Sequence, residues 1–86
     1  MSKFENNKTI TFSIREEERD RERHARLRAV YDALTEKGYN PLNQIAGYIL
    51  TEDPTYITNH RNARTIMSKF DRDELLNALL KEYLGV

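Results

Sequence analysis

Within four residues, Gly38-Tyr39-Asn40-Pro41, the chain carries a signal to end one helix and a signal to begin another. Glycine takes up the left-handed conformation that closes a helix C-terminus without steric cost. Asn40 is a good N-cap, and Pro41 suits the first helical position, where a backbone N–H has no partner to lose. Helices joined this tightly pack as neighbours, so the remaining elements have to be read as parts of a bundle.

The apolar spacing agrees. Leu27, Val30, Tyr31 and Leu34 recur at i, i+3, i+4, i+7 ahead of Gly38. Leu42, Ile45, Ala46 and Ile49 follow Pro41, and Tyr48 and Leu50 widen that stripe, which predicts that the second helix is the central, most buried one. Pro54 ends it by disfavouring the α conformation at Asp53, and residues 54–57 are read as one short helical turn. A third helix is predicted over 59–69, with Thr58 or Asn59 as cap and Ala63, Ile66, Met67 and Phe70 inward. Asp71-Arg72-Asp73-Glu74 starts the last helix, Gly85 ends it, and Leu75, Leu76, Leu79, Leu80, Tyr83 and Leu84 give it a broad apolar face. The fold class is all-α: four main helices plus a short helical turn.

Ahead of the bundle, residues 1–12 read as an extended or flexible arm, leaving 13–86 as the helical domain. Ile10, Phe12 and Ile14 alternate with Thr11 and Ser13, a strand-like pattern that needs a pairing partner. Ser13 and Glu16 form a capping box that places the first helix start there. Glu16, Glu17 and Glu18 then meet the positive end of the helix dipole, and Glu17–Arg21 and Glu22–Arg26 are spaced for ion pairs. A chain of 86 residues buries a thin core. Helices two and four are apolar over more than one monomer of this length covers, so a homodimer is expected.

Composition removes several function classes. There are no cysteines, hence no disulfides or thiolate metal sites, and His60 has Arg64 rather than a ligand four residues on. No apolar run approaches the ~20 residues that cross a bilayer, and the start of the chain lacks a signal-peptide core; a cytoplasmic location and no membrane partner are expected. Three scattered glycines build no phosphate-binding loop, and the carboxylates sit where caps and ion pairs explain them. No catalytic residue, cofactor or metal is expected, and the chain is read as a non-enzyme. Lys plus Arg equals Asp plus Glu at 14 each, which argues against nucleic-acid binding. Even so, His60, Arg61, Arg64, Lys69 and Arg72 concentrate positive charge between 60 and 72. They suit an acidic or phosphorylated partner, the alternative being a small helix-turn-helix-like DNA-binding module. Thr9, Thr11 and Ser13 place three hydroxyls in the arm, where a kinase has access.

The segment Val30 to Arg64 resembles the IreB/ReoM family of small regulatory proteins of Gram-positive bacteria. "EKGYNPLNQIAGYIL" at 36–50 is similar to that family's E-K-G-Y-N-P-x-N-Q-I-x-G-Y-x-L, and "DPTYI" at 53–57 to its D-P-A-Y-I. His60, Ala63-Arg64, "RDEL" at 72–75 and "YL" at 83–84 extend the likeness over 28–84 without a gap. The resemblance implies a helical homodimer that is the substrate of a membrane-anchored, cell-wall-sensing Ser/Thr kinase and its partner phosphatase. Thr9 aligns with the family's phosphoacceptor, ahead of Thr11 and Ser13, and Asn6 replaces the second threonine of some members. It further implies that the unphosphorylated form, with an adaptor and the ClpC–ClpP protease, promotes proteolysis of the enzyme for the first committed step of peptidoglycan synthesis. Phosphorylation then raises wall synthesis and antibiotic resistance. The basic residues from His60 to Arg72 align with the partner surface. Asn40, Pro41, Asn43 and Gln44 are read as structural or dimer residues, the two later amides bonding across a subunit interface. Three positions depart from the pattern: Asn59 and Ser68 stand where arginine is usual, and Glu52 where glycine is usual.

Overall fold

The computed structural model describes residues 3–86, with side chains from Arg15 onward. The side chains of residues 1–14, among them the hydroxyls of Thr9, Thr11 and Ser13, lie outside the residues so described. The backbone of α1 begins at Lys3, so the helix start expected at Ser13 and the extended arm expected ahead of it give way to helix; neither Gly nor Pro interrupts the sequence between Lys3 and Ser13. Among the described residues the order is α1 (Lys3–Glu36), α2 (Pro41–Thr51), α3 (Ala63–Ser68) and α4 (Arg72–Leu84). Two 3₁₀ turns, Pro54–Tyr56 and His60–Asn62, lie between α2 and α3, and these elements include no strand.

The α1–α2 junction forms as its sequence dictates. Gly38 has φ +88°. Its N–H donates to the Thr35 carbonyl at 3.0 Å, and the Tyr39 N–H donates to the Leu34 carbonyl at 3.0 Å, which together close α1 as a Schellman motif. The Asn40 side chain accepts from the Asn43 N–H at 3.1 Å. Asp71 caps α4 by accepting from the N–H groups of Asp73 and Glu74 at 2.9 and 3.2 Å, and Gly85 ends α4 in the left-handed region.

The core is small. Val30, Ala33 and Leu34 of α1 meet Ile49 of α2, Ala63 and Met67 of α3, Leu75 of α4 and Ile57 of the connection, with Leu27, Ile45, Tyr48, Ile66 and Phe70 packed around them. Burying a side chain the size of Leu34 or Ile57 contributes about 1.5–3 kcal/mol. The turns of α1 from Arg15 to His24 carry charged side chains and are largely exposed, with Glu22 and Arg26 3.7 Å apart.

Three further features differ from the sequence reading. The core is centred on α1, not α2: Leu42 and Leu50 of α2 are 69% and 79% exposed and Ile49 is the one buried residue of that helix. The third helix is not continuous over 59–69. Arg61 and Asn62 have φ of 52° and 63°, so the α-helix proper begins at Ala63. Tyr31 lies at the surface with the Arg28 guanidinium 5.2 Å above its ring, while Ala33 takes the inward position. Along α4 only Leu75 is buried; Leu76, Leu79, Leu80, Tyr83 and Leu84 are exposed.

Candidate functional site

The basic residues singled out in the sequence occur between the end of α2 and the start of α4. His60 and Arg61 come together on one carboxylate. Glu36, the last residue of α1, accepts from His60 Nε2 at 2.9 Å through Oε1 and from Arg61 Nη1 at 2.8 Å through Oε2. The His60 hydrogen bond, then the Arg61 charge, hold the Glu36 carboxyl below its ordinary value. Since a carboxylate only accepts, His60 carries its proton on Nε2 in this contact.

Arg64 turns inward to the chain. Its Nε donates to the carbonyl of the buried Ile57 at 3.0 Å. Arg72 does the same for α2: Nη1 donates to the Ile49 carbonyl at 3.1 Å while Nη2 pairs with Glu52. Glu52 is the left-handed C-cap of α2, with φ of 58°. Lys69 borders a separate groove of about 150 Å³ with Arg19, Glu22, Arg26 and Phe70. The structure therefore joins His60 with Arg61, and ties Arg64 and Arg72 individually to backbone carbonyls.

The connection carrying His60 is braced from α2. Gln44 accepts from the Thr58 N–H at 3.3 Å within the same chain. Asn43 and Gln44 line a shallow groove with Thr55 and Tyr56. The Tyr56 ring lies over Gly47, where a methyl group would sit 2.7 Å from Cδ1. Asp53 caps the first 3₁₀ turn by accepting from both the N–H and hydroxyl of Thr55, at 3.0 and 2.8 Å, and these bonds hold its carboxyl below its ordinary value.

Two residues that sequence reasoning missed matter here. Ile57 is fully buried, yet it stands alone in a connection and belongs to no periodic stripe. Glu36 was part of the quoted motif but had no assigned role, because its partners lie 24 and 25 residues further on. The α2–α3 connection, residues 52–62 with its two 3₁₀ turns, is unlike the three- or four-residue turn of a helix-turn-helix motif.

Among the described residues, no helix is long and apolar enough to cross a membrane, and no group of three or more His, Asp or Glu is placed to hold a metal. What these residues define is a small all-helical protein whose charged side chains fasten helix ends and a connecting segment. The family model of the IreB regulatory phosphoproteins matches residues 7–85, and the chain belongs to that family.

Proposed function

We propose that this chain is a non-enzymatic, cytoplasmic regulator switched by phosphorylation of Thr9, with Thr11 and Ser13 as lesser acceptors. The observation that carries the reading is the family match over residues 7–85, which includes both Thr9 and the cationic segment from His60 to Arg72. A regulatory phosphoprotein needs a hydroxyl that can be modified and a surface that responds to the added charge, and this chain supplies both residue types. The kinase is of the cell-wall-sensing Ser/Thr type, opposed by a phosphatase. The output is control of peptidoglycan synthesis, and so of antibiotic resistance, through ClpC–ClpP proteolysis of an early wall-synthesis enzyme with an adaptor protein. The functional unit in this reading is a homodimer, supported by the exposed leucines of α4.

The test is intact-mass and fragment mass spectrometry of the full chain after incubation with such a kinase and ATP. One phosphate on Thr9, lost in Thr9→Ala, is expected. A chain left unmodified, or modified only within 15–86, would overturn the reading.

A further inference from the structure

Glu36 occupies a site that has the form of an anion receptor. Its two carboxylate oxygens are taken separately, one by His60 Nε2 at 2.9 Å and one by Arg61 Nη1 at 2.8 Å. The backbone presenting those donors is unusual. Arg61 and Asn62 are consecutive non-glycine residues at φ of 52° and 63°, a conformation kept only where surrounding contacts enforce it. The contact is also open to solvent: the Glu36 and Arg61 side chains are 53% and 61% exposed. An ion pair in that setting is weak and exchanges readily.

We infer that Glu36 is an internal stand-in for a phosphate monoester, and that a phosphorylated side chain engages His60 and Arg61 by displacing it. Two phosphate oxygens reproduce the two acceptors that Glu36 provides. The phosphate brings roughly −1.5 to −2 charges and a third acceptor, against a single charge on the carboxylate. Once displaced, Glu36 remains tethered at the end of α1, and its charge opposes the ligand. The pair of donors is thus a gated site that selects for high charge density, not an open basic patch. This rests on the phosphorylation reading above for its ligand, whose source is either the arm of the same chain or a second protein.

The experiment uses the full-length, isotope-labelled chain titrated with N-acetyl-phosphothreonine methylamide, following the amide resonances of His60, Arg61 and Asn62. N-acetyl-glutamate methylamide is the carboxylate control. E36Q, which keeps the size and shape of the side chain, should bind the phosphothreonine probe about two- to fivefold tighter than the native chain, the range expected from removing an exposed ion pair. The glutamate probe should bind more weakly to both. Arg61→Gly suits the left-handed backbone and preserves the fold, and it should abolish the response. Equal affinity of E36Q and the native chain, or undiminished binding by Arg61→Gly, would overturn the gate. The same shifts in a Thr9-phosphorylated chain, independent of its concentration, would assign the ligand to the chain's own arm. Shifts obtained only with added probe would support a phosphorylated partner in trans. A chain that no kinase modifies would defeat the Thr9 reading, while the E36Q comparison still decides the gate.

Discussion

Arg72, the first residue of α4, closes the last turn of α2: its guanidinium donates to the Ile49 carbonyl at 3.1 Å and pairs with the Glu52 carboxylate. Helix C-termini leave carbonyls without intrahelical partners, and a cation there is doubly favourable. Arg72→Ala should therefore destabilise the chain by about 1–2 kcal/mol, the range for a charge-assisted hydrogen bond that is partly solvated. Arg72→Lys should recover less than half, because one ammonium does not span both acceptors in the forked geometry. Urea unfolding of the three chains checks this. A loss of partner binding in Arg72→Ala has to be read against that stability change.

Gly47→Ala should change sign with its neighbour. In the native chain alanine gains about 1 kcal/mol of helix propensity but drives a methyl group to 2.7 Å from the Tyr56 ring, and overpacking of this kind costs about 1–3 kcal/mol. A net loss of about 1 kcal/mol is expected. In a Tyr56→Ala background the same substitution should stabilise by about 1 kcal/mol. A double-mutant cycle by chemical denaturation measures the coupling.

Glu52 offers a cleaner comparison of backbone strain. Glu52→Ala and Glu52→Gly both remove the pairing with Arg72, so their difference isolates the left-handed φ of 58°. The glycine variant should be the more stable by about 1 kcal/mol, since only the alanine has a Cβ to crowd the following carbonyl. Thermal melts under one set of conditions suffice.

Acid should weaken the fold through two carboxylates. Glu36 and Asp53 are both held below their ordinary values of 4.5 and 3.8. Over that range the folded chain binds fewer protons than the unfolded one, so stability rises with pH. The contribution is complete above about pH 5 and is lost as pH falls through the depressed values of the folded state. Urea midpoints at pH 6, 4 and 3 should decline, and the decline should be shallower in a Glu36→Gln, Asp53→Asn double variant.

The two kinds of leucine on α4 should behave differently. Leu75, at 3% exposed, should cost about 2–4 kcal/mol when changed to alanine. Leu80 is 58% exposed in the single chain. Leu80→Lys should leave helicity intact and shift the sedimenting species from two chains to one at micromolar concentration. A native chain that sediments as a monomer would remove the homodimer reading.

Much of the fold was legible because its punctuation is local. Gly38, Asn40-Pro41, Asp71 and Gly85 act through hydrogen bonds within a few residues, so their spacing alone locates four helix ends. What lies between them depends on distant partners. The width of the α2 stripe showed more apolar surface than one chain covers, but not that Leu42 and Leu50 are the residues left bare. Ile57 carries no periodicity. Arg61 and Asn62 read as ordinary helix residues, since the contacts that accompany their left-handed backbone come from the end of α1. The residue types of the candidate site were visible, whereas its occupancy by Glu36 is a property of the folded chain alone.

That occupancy bears on how fast partners meet. Electrostatic steering needs uncompensated charge that projects a field beyond the contact surface. With Glu36 seated on Arg61 and Glu52 on Arg72, these cations are matched at contact distance, on a chain whose formal net charge is already zero. An acidic partner is not drawn in from afar. Its association rate constant should sit near the unsteered range of about 10⁵–10⁶ M⁻¹s⁻¹ and vary little with ionic strength. Opening the Glu36 contact would expose charge where there was none, turning a slow, salt-indifferent encounter into a faster, salt-sensitive one.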